Sequence, residues 1–426
     1  MSELPAVRRT TPDDSRTASR ARRSTTIRRG TAAAAIGAAF VLVAACSSSG
    51  GGSGSSADTT AAAVDTSAAS TAPSTDTSSS GGSDPIAAAT AELAKYAAVP
   101  AFTAPGDAID ISALKGKTIY SIPQSDANPF VSQTDASEKT LAESYGIKFV
   151  EYSTQGTPAE WQRGINQAIS AKAAAIIINA LDPKLVAPQI ASAKAAGIPV
   201  ISAQFYDVDG LDKAQADLSA VRADNFGEAA KLEADYAIQA TGGKADVVVV
   251  ENTEQQSTLD MLDAMKAEFA AKCPDCKAKY INVPSADWAT KIQTEVQSAI
   301  VADPGVNWVI PIYDPMTQFV VPAIKATGKT GSIFVSTFNG TPDGLKMVAD
   351  NSIVKMDIGE NLDWLASANL DEAFRTILGK PGLDDEKTAL RVFTSDNVAD
   401  TGNPPAFNKG FGDSYVAGYK TLWGAN

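Results

Sequence analysis

The strongest constraint on the fold comes from residues 174–179, Ala-Ala-Ile-Ile-Ile-Asn, an unbroken apolar run that ends on an amide. A strand without a polar face is buried on both sides, which is the situation of a strand inside a parallel sheet covered by helices. Similar runs recur along the chain and alternate with amphipathic stretches of helical period. Strands are predicted at 118–122, 147–152, 175–179, 199–203 and 218–221, with helices at 129–144, 158–171 and 183–196 between them. Each helix opens on Pro or on a capping side chain. A second series follows, with strands at 246–251, 279–283, 308–312, 333–338 and 354–358. Its helices are predicted at 225–240, 255–272, 286–301, 315–327 and 342–350. Such alternation specifies an α/β chain of two Rossmann-like lobes, each a doubly wound parallel sheet. Ligands of these sheets sit outside the carboxyl ends of the strands, so two facing lobes share one cleft.

The front of the chain is not core material. Arg8, Arg9, Arg16, Arg20, Arg22, Arg23, Arg28 and Arg29 precede a run of small apolar residues that ends at Cys46. A basic region followed by a short apolar stretch reads as an export signal, too short and poorly flanked for a membrane span. Its Leu-Val-Ala-Ala-Cys ending resembles a bacterial lipobox, in which cleavage before the Cys leaves a thiol that carries a diacylglycerol. Cys46 is therefore the expected lipidation site, and the lipid the expected membrane contact. Residues 46–84 are mostly Ser, Gly, Ala and Thr and read as a disordered tether. An N-terminal helix and extended adaptor are expected at 85–114. Residues 115–222 with 361–390 are expected to make the first lobe, 223–360 the second, and 391–426 a final crossover and a tail. That tail carries Phe407, Phe411, Tyr415, Tyr419 and Trp423, too many aromatics for disorder, and is expected to pack on the body.

Composition removes several kinds of chemistry. The 426 residues include 36 basic and 49 acidic ones; residues 1–45 hold 8 and 3, which leaves 28 against 46, a net −18, for the remainder. An acidic body argues against nucleic-acid binding. No His is present, which takes away the usual general base, the Ser/His and Cys/His nucleophile pairs and the commonest zinc ligand. No cofactor or metal is expected. Cys273 and Cys276, in Cys-Pro-Asp-Cys, follow a helical run, whereas a reactive pair favours a helix start. A four-residue turn brings their Cα atoms within reach of a disulfide, which is the predicted state.

Six short stretches, in order, resemble the type I periplasmic binding proteins of the ribose-binding kind, the receptors of bacterial ABC sugar importers. They are Asn128-Pro-Phe130, Gly197-Ile-Pro-Val200, Asp224-Asn225, Ala286-Asp-Trp288, Ile312-Tyr-Asp314 and Thr337-Phe-Asn-Gly-Thr-Pro-Asp-Gly344. The resemblance runs from about Lys115 to Phe393. It implies two lobes joined by a three-segment hinge, near 221–225, 358–361 and 390–393, which close on a small ligand and then dock on a permease. It also implies a site: Asn128 falls on a hydroxyl ligand, Phe130 on a stacking ring, Trp288 on the stacking aromatic of the opposite lobe, Tyr313 on an amide ligand and Asn339 on a key aspartate. Gln204 and Phe205 stand where the family has an Asp-Arg pair, Glu360 stands near its Gln, and Met261 near its second-lobe arginine. Asp224 and Asp314 complete the candidate set.

A sugar offers hydroxyls that donate and accept, with C–H faces that stack on rings. A pocket lacking both arginines suits a neutral hydroxylated ligand better than a sugar acid or phosphate. Glu251, Asp314 and Glu360, if near the cleft, push the same way or admit a cationic ligand. Asn128 also reads as a helix cap, Phe130 as a core contact, Trp288 as a packing residue, and Asp224-Asn225 as a hinge or cap. The expected protein is a monomeric, lipid-anchored extracytoplasmic receptor that binds a small neutral carbohydrate or polyol and delivers it to an ABC permease, without catalysis. The alternative is a receptor for an amino-acid-like molecule, a nucleoside or a quorum signal. A glycosidase using Asp314 and Glu360 as paired carboxylates is a further reading.

Overall fold

The computed structural model describes residues 84–425 apart from 215, 384, 385 and 387. The expected signal segment, the tether as far as residue 83 and Cys46 lie outside the described residues. Helix α1 (Pro85–Lys95) starts behind Asp84, whose side chain accepts the Ile86 N–H. It seats Ala89 and Leu93 in the core of the second lobe. The segment after it places Ile109, Ile111 and Leu114 in the core of the first.

The first lobe contains β1 (Thr118–Pro123), α2 (Pro129–Ser144), β2 (Lys148–Glu151), α3 (Pro158–Ser170), β3 (Ala175–Asn179), α4 (Ala187–Ala195), β4 (Val200–Asp207) and β5 (Ala220–Asp224). Its strands pair in parallel in the order β2-β1-β3-β4-β5. In β3 all five residues are buried, including Ile176, Ile177 and Ile178; each such side chain contributes about 1.5–3 kcal/mol when removed from water. Helix α2 begins where Asn128 caps and Pro129 supplies the first helical φ. Helix α3 begins at a capping box of Thr157 and Glu160 and turns Trp161, Ile165 and Ala168 inward at helical spacing.

The second lobe contains α5 (Phe226–Ala240), β6 (Asp246–Glu251), α6 (Gln256–Lys272), β7 (Lys277–Asn282), α7 (Trp288–Ala302), β8 (Trp308–Pro311), α8 (Thr317–Ala326), β9 (Phe334–Asn339), α9 (Pro342–Asp350) and β10 (Val354–Glu360). The chain then returns to the first lobe as α10 (Leu362–Ile377), whose Trp364, Ala368 and Phe374 join that core, and comes back as β11 (Leu390–Thr394). The second sheet runs β11-β10-β9-β8-β6-β7. Without β11 its order reproduces that of the first sheet. It is not wholly parallel, because β11 pairs antiparallel with β10.

The chain end packs on both lobes. Phe411 joins the second-lobe core against Phe393. Helix α11 (Ser414–Leu422) turns Tyr415, Tyr419 and Leu422 into the first-lobe core, where Tyr415 stacks on Trp364 at 5.1 Å. Trp423 follows, and its Nε1 donates to Asp371 at 2.7 Å. At the end of α6 the sulfurs of Cys273 and Cys276 stand 1.97 Å apart, with Cα atoms separated by 5.3 Å. Among the described residues no helix is long and apolar enough to cross a membrane.

Candidate functional site

Both sheets point their carboxyl ends at one cavity of about 430 Å³. The loop after β1 and the start of α2 supply Gln124, Ser125, Asn128 and Phe130; β4 supplies Gln204 and the end of β5 supplies Asp224. From the second lobe come Gln255 and Ser257 at the start of α6, Ser285 and Trp288 at the entry to α7, Tyr313 after β8, Asn339 at the end of β9 and Glu360 at the end of β10. Phe226, at the first position of α5, adds a further ring.

Eight of the ten residues proposed from the sequence thus line one cavity: Asn128, Phe130, Gln204, Asp224, Trp288, Tyr313, Asn339 and Glu360. Phe205 and Asp314 do not. Strand β4 continues past Ala203 with a shift of register against β5 before Asp207. The bulged segment buries Phe205 edge-on against Tyr206, ring centres 4.9 Å apart. In the same segment Gln204 takes a left-handed backbone, φ +58°, and reaches the cavity. Asp314 is buried behind the wall, where its Oδ2 accepts the Thr341 N–H at 2.7 Å. Glu251 is outside the lining as well, and Met261 is wholly buried in the second-lobe core. With Asp314 out of the cavity, Asp314 and Glu360 do not flank a common bond, so the paired-carboxylate geometry of a glycosidase is not assembled.

Several lining groups have second roles. The Asn128 side chain accepts the Phe130 N–H at 3.1 Å, so it caps α2 as well as facing the cavity; caps of this kind contribute about 1 kcal/mol. Trp288 is half-buried, and its Nε1 donates to the Val283 carbonyl at 3.0 Å, which fixes the ring plane. The Tyr313 hydroxyl lies 3.0 Å from both Ser257 Oγ and Thr258 Oγ1. Burial pushes the pKa of that phenol up, partly offset by these two hydrogen bonds. Asn225 ties the end of β5 to the segment that leads into β11, its Nδ2 donating to the Thr388 carbonyl at 2.9 Å.

Asn339 sits at φ +136°, and Gly340 follows at φ +67°. A Cβ on Gly340 would lie 2.5 Å from the Gly359 Cα, so only glycine fits. The turn is gripped from below: Asp357 Oδ1 accepts the Gly340 N–H at 3.0 Å while Asp314 accepts from Thr341. Burial pushes Asp314 up to about 7; burial and then the Asp314 charge push Asp357 well above the ordinary carboxylate range. Each carboxyl disfavours ionisation of the other, because two like charges buried side by side repel.

Arg222, on β5, is the residue the sequence reading missed. It is fully buried, its Nε donates to Asn369 Oδ1 at 2.8 Å, and it pairs with Asp224. Asn369 Nδ2 donates to Glu138 at 2.6 Å, and Asn179 Nδ2 donates to Asp135 at 2.5 Å. A hydrogen-bonded network therefore runs from Ser121, through α2 and α10, to the cavity wall. Glu360 stands beside it: burial, then the neighbouring Asp224 charge, push its carboxyl well above the usual range, and Arg222 opposes them. Among the described residues that line the cavity none is Lys or Arg.

A periplasmic binding protein domain matches residues 119–379. The chain belongs to that family. Over 275 residues it is 25% identical to the ribose import binding protein of Salmonella typhimurium, covering 64% of this chain and 88% of that one. Over 290 residues it is 24% identical to a xylitol-binding protein of Mycolicibacterium smegmatis, covering 66% and 77%. Its fold is similar to an ABC transporter solute binding protein from Agrobacterium vitis solved with α-D-tagatopyranose, with TM-score 0.60, 18% identity and coverage of 67% and 96%. The two-lobed α/β architecture of this family member is thus type I.

Proposed function

We propose that the protein is the extracytoplasmic solute receptor of an ABC importer and takes a small sugar or polyol without an anionic group into the interlobe cavity. The observation that carries this reading is the lining itself. Amides at Gln124, Asn128, Gln204, Gln255 and Asn339 and hydroxyls at Ser125, Ser257, Ser285 and Tyr313 stand among Phe130, Phe226 and Trp288. Such a mixture serves hydroxyls in both hydrogen-bonding senses and C–H faces by stacking. The proteins named as ribose and xylitol binders support the same class. The absence of a lining Lys or Arg among the described residues leaves a phosphate or sugar acid without a counter-charge. Ligand contacts are assigned to Asn128, Phe130, Gln204, Asp224, Trp288, Tyr313, Asn339 and Glu360. The hinge lets ligand binding shift an open-to-closed equilibrium that a permease reads.

Lipidation at Cys46 behind a cleaved signal anchors the receptor, residues 46–84 serve as its tether, and the Cys273–Cys276 disulfide suits an oxidising extracytoplasmic site. The receptor acts as a monomer and has no catalytic role. The test is a thermal-shift screen of pentoses, hexoses, pentitols, hexitols and inositols. A ligand that binds only the native state raises the melting temperature by mass action; no shift with any of them refutes the reading.

A further inference from the structure

The cavity is unevenly charged. Gln204 comes from within β4, Asp224 and Glu360 from the ends of β5 and β10, and each carries an acceptor oxygen. Gln204 spends its amide nitrogen on Thr134 Oγ1 at 3.3 Å, while its Oε1 is buried without a partner. Asp224, 2% exposed, gives one oxygen to Arg222, while its Oδ2 is buried without a partner. Glu360, 4% exposed, adds a second carboxyl close enough to Asp224 for the two charges to interact. A hydroxyl brings one hydrogen to three such acceptors, whereas an ammonium brings three hydrogens and no lone pair.

Charge points the same way. Arg222 neutralises Asp224 from behind the wall, is wholly buried and donates also to Asn369 and to the Ala223 carbonyl. Burial and the Asp224 charge oppose ionisation of Glu360, because a buried, uncompensated carboxylate is costly, and no cation in the lining offsets them. A cationic ligand group supplies the missing charge, and the rings of Phe226, Phe130 and Trp288 in the same lining are compatible with it. Among the described residues no group of three or more His, Cys, Asp or Glu is placed to hold a metal ion, and an ammonium is the cation that a sugar or polyol can itself carry.

Resting on the sugar or polyol reading, we infer that the ligand carries a protonated amine in place of one hydroxyl, held by Gln204 Oε1, Asp224 Oδ2 and Glu360. The structure thus assigns an amino sugar or amino polyol subsite to the end of the cavity formed by β4, β5 and β10.

Calorimetry with matched pairs tests this: galactose and galactosamine, glucitol and 1-amino-1-deoxyglucitol, xylitol and its 1-amino analogue, myo-inositol and an aminodeoxyinositol, with calcium chloride alone as a further titrant. The expected result is that at least one amine binds about tenfold or more tightly than its hydroxyl partner. In Glu360→Gln the ratio of the two affinities should fall by a similar factor. The wild-type comparison stands on its own if that variant does not fold. Neutral members that bind as well as or better than every amine overturn the inference while leaving the sugar reading intact. So does an amine preference that survives Glu360→Gln, or binding of calcium alone. Binding of no member of any pair overturns both.

Discussion

Each wall of the cleft is backed by a buried pair of acids, and the two pairs are held differently. Under the first-lobe wall, Asp135 and Glu138 on α2 receive hydrogen bonds from Ser121, Asn179 and Asn369, and the network ends on the Arg222 cation. Under the second-lobe wall, Asp314 and Asp357 receive backbone N–H groups of the turn after Asn339. One pair is held by side-chain amides and a charge, the other by backbone N–H groups. The first should therefore respond most to removal of the cation, and the second to loss of the turn's acceptors.

The largest effect is expected from Arg222→Met, which leaves Asp224 and Glu360 buried without a counter-charge. Breaking a buried pair in this way costs about 3–5 kcal/mol. Urea unfolding measures it, and a loss under about 1 kcal/mol would mean that the first-lobe network does not depend on its cation. Next comes Asp357→Ala. It orphans the Gly340 N–H, for about 1–3 kcal/mol, and frees the turn that presents Asn339, so sugar affinity should drop with stability. Full affinity in a folded Asp357→Ala protein would show that the turn holds its shape without the acid pair.

A further effect is expected from pH. Burial places Asp135 and Asp314 each at about 7 in the folded protein, against about 3.9 in an unfolded chain. Between those values the folded state binds more protons, so stability falls as pH rises from about 4, and the penalty is fully present above about 7. Unfolding at pH 5 should need more urea than at pH 8. Asp314→Asn should flatten that slope; an unchanged slope would remove the second-lobe pair as its source.

The elements that sequence disclosed best are those with local causes. Asn128 followed by Pro129, and Thr341 followed by Pro342, mark the starts of α2 and α9 because capping and the fixed proline φ act within a few residues. Strands β3 and β6 carry unbroken apolar runs, 175–178 and 247–250, and each ends on the polar residue that follows its run. Phe205 was hidden because a bulge is a pairing event between β4 and β5, which no local pattern records. Arg222 looked like an ordinary polar residue beside a hinge; its burial becomes visible only when α10 brings Asn369 against it. Helix α10 itself is buried on nearly every face, so polar residues such as Asn369, Asp371 and Arg375 blur its period while pairing inside the core. Ser257 and Gln255 escaped notice because small polar residues at a helix start read first as caps.

The central claim, that one ligand is gripped by both walls of a single cleft, is tested most directly by calorimetry. The experiment titrates the sugar or polyol found by thermal shift into the wild type, Asn128→Ala from the first lobe and Trp288→Ala and Asn339→Ala from the second. Each substitution should weaken binding by about tenfold or more, equivalent to about 1.4 kcal/mol, while the protein still unfolds cooperatively. Affinity unchanged by both second-lobe substitutions would contradict the account.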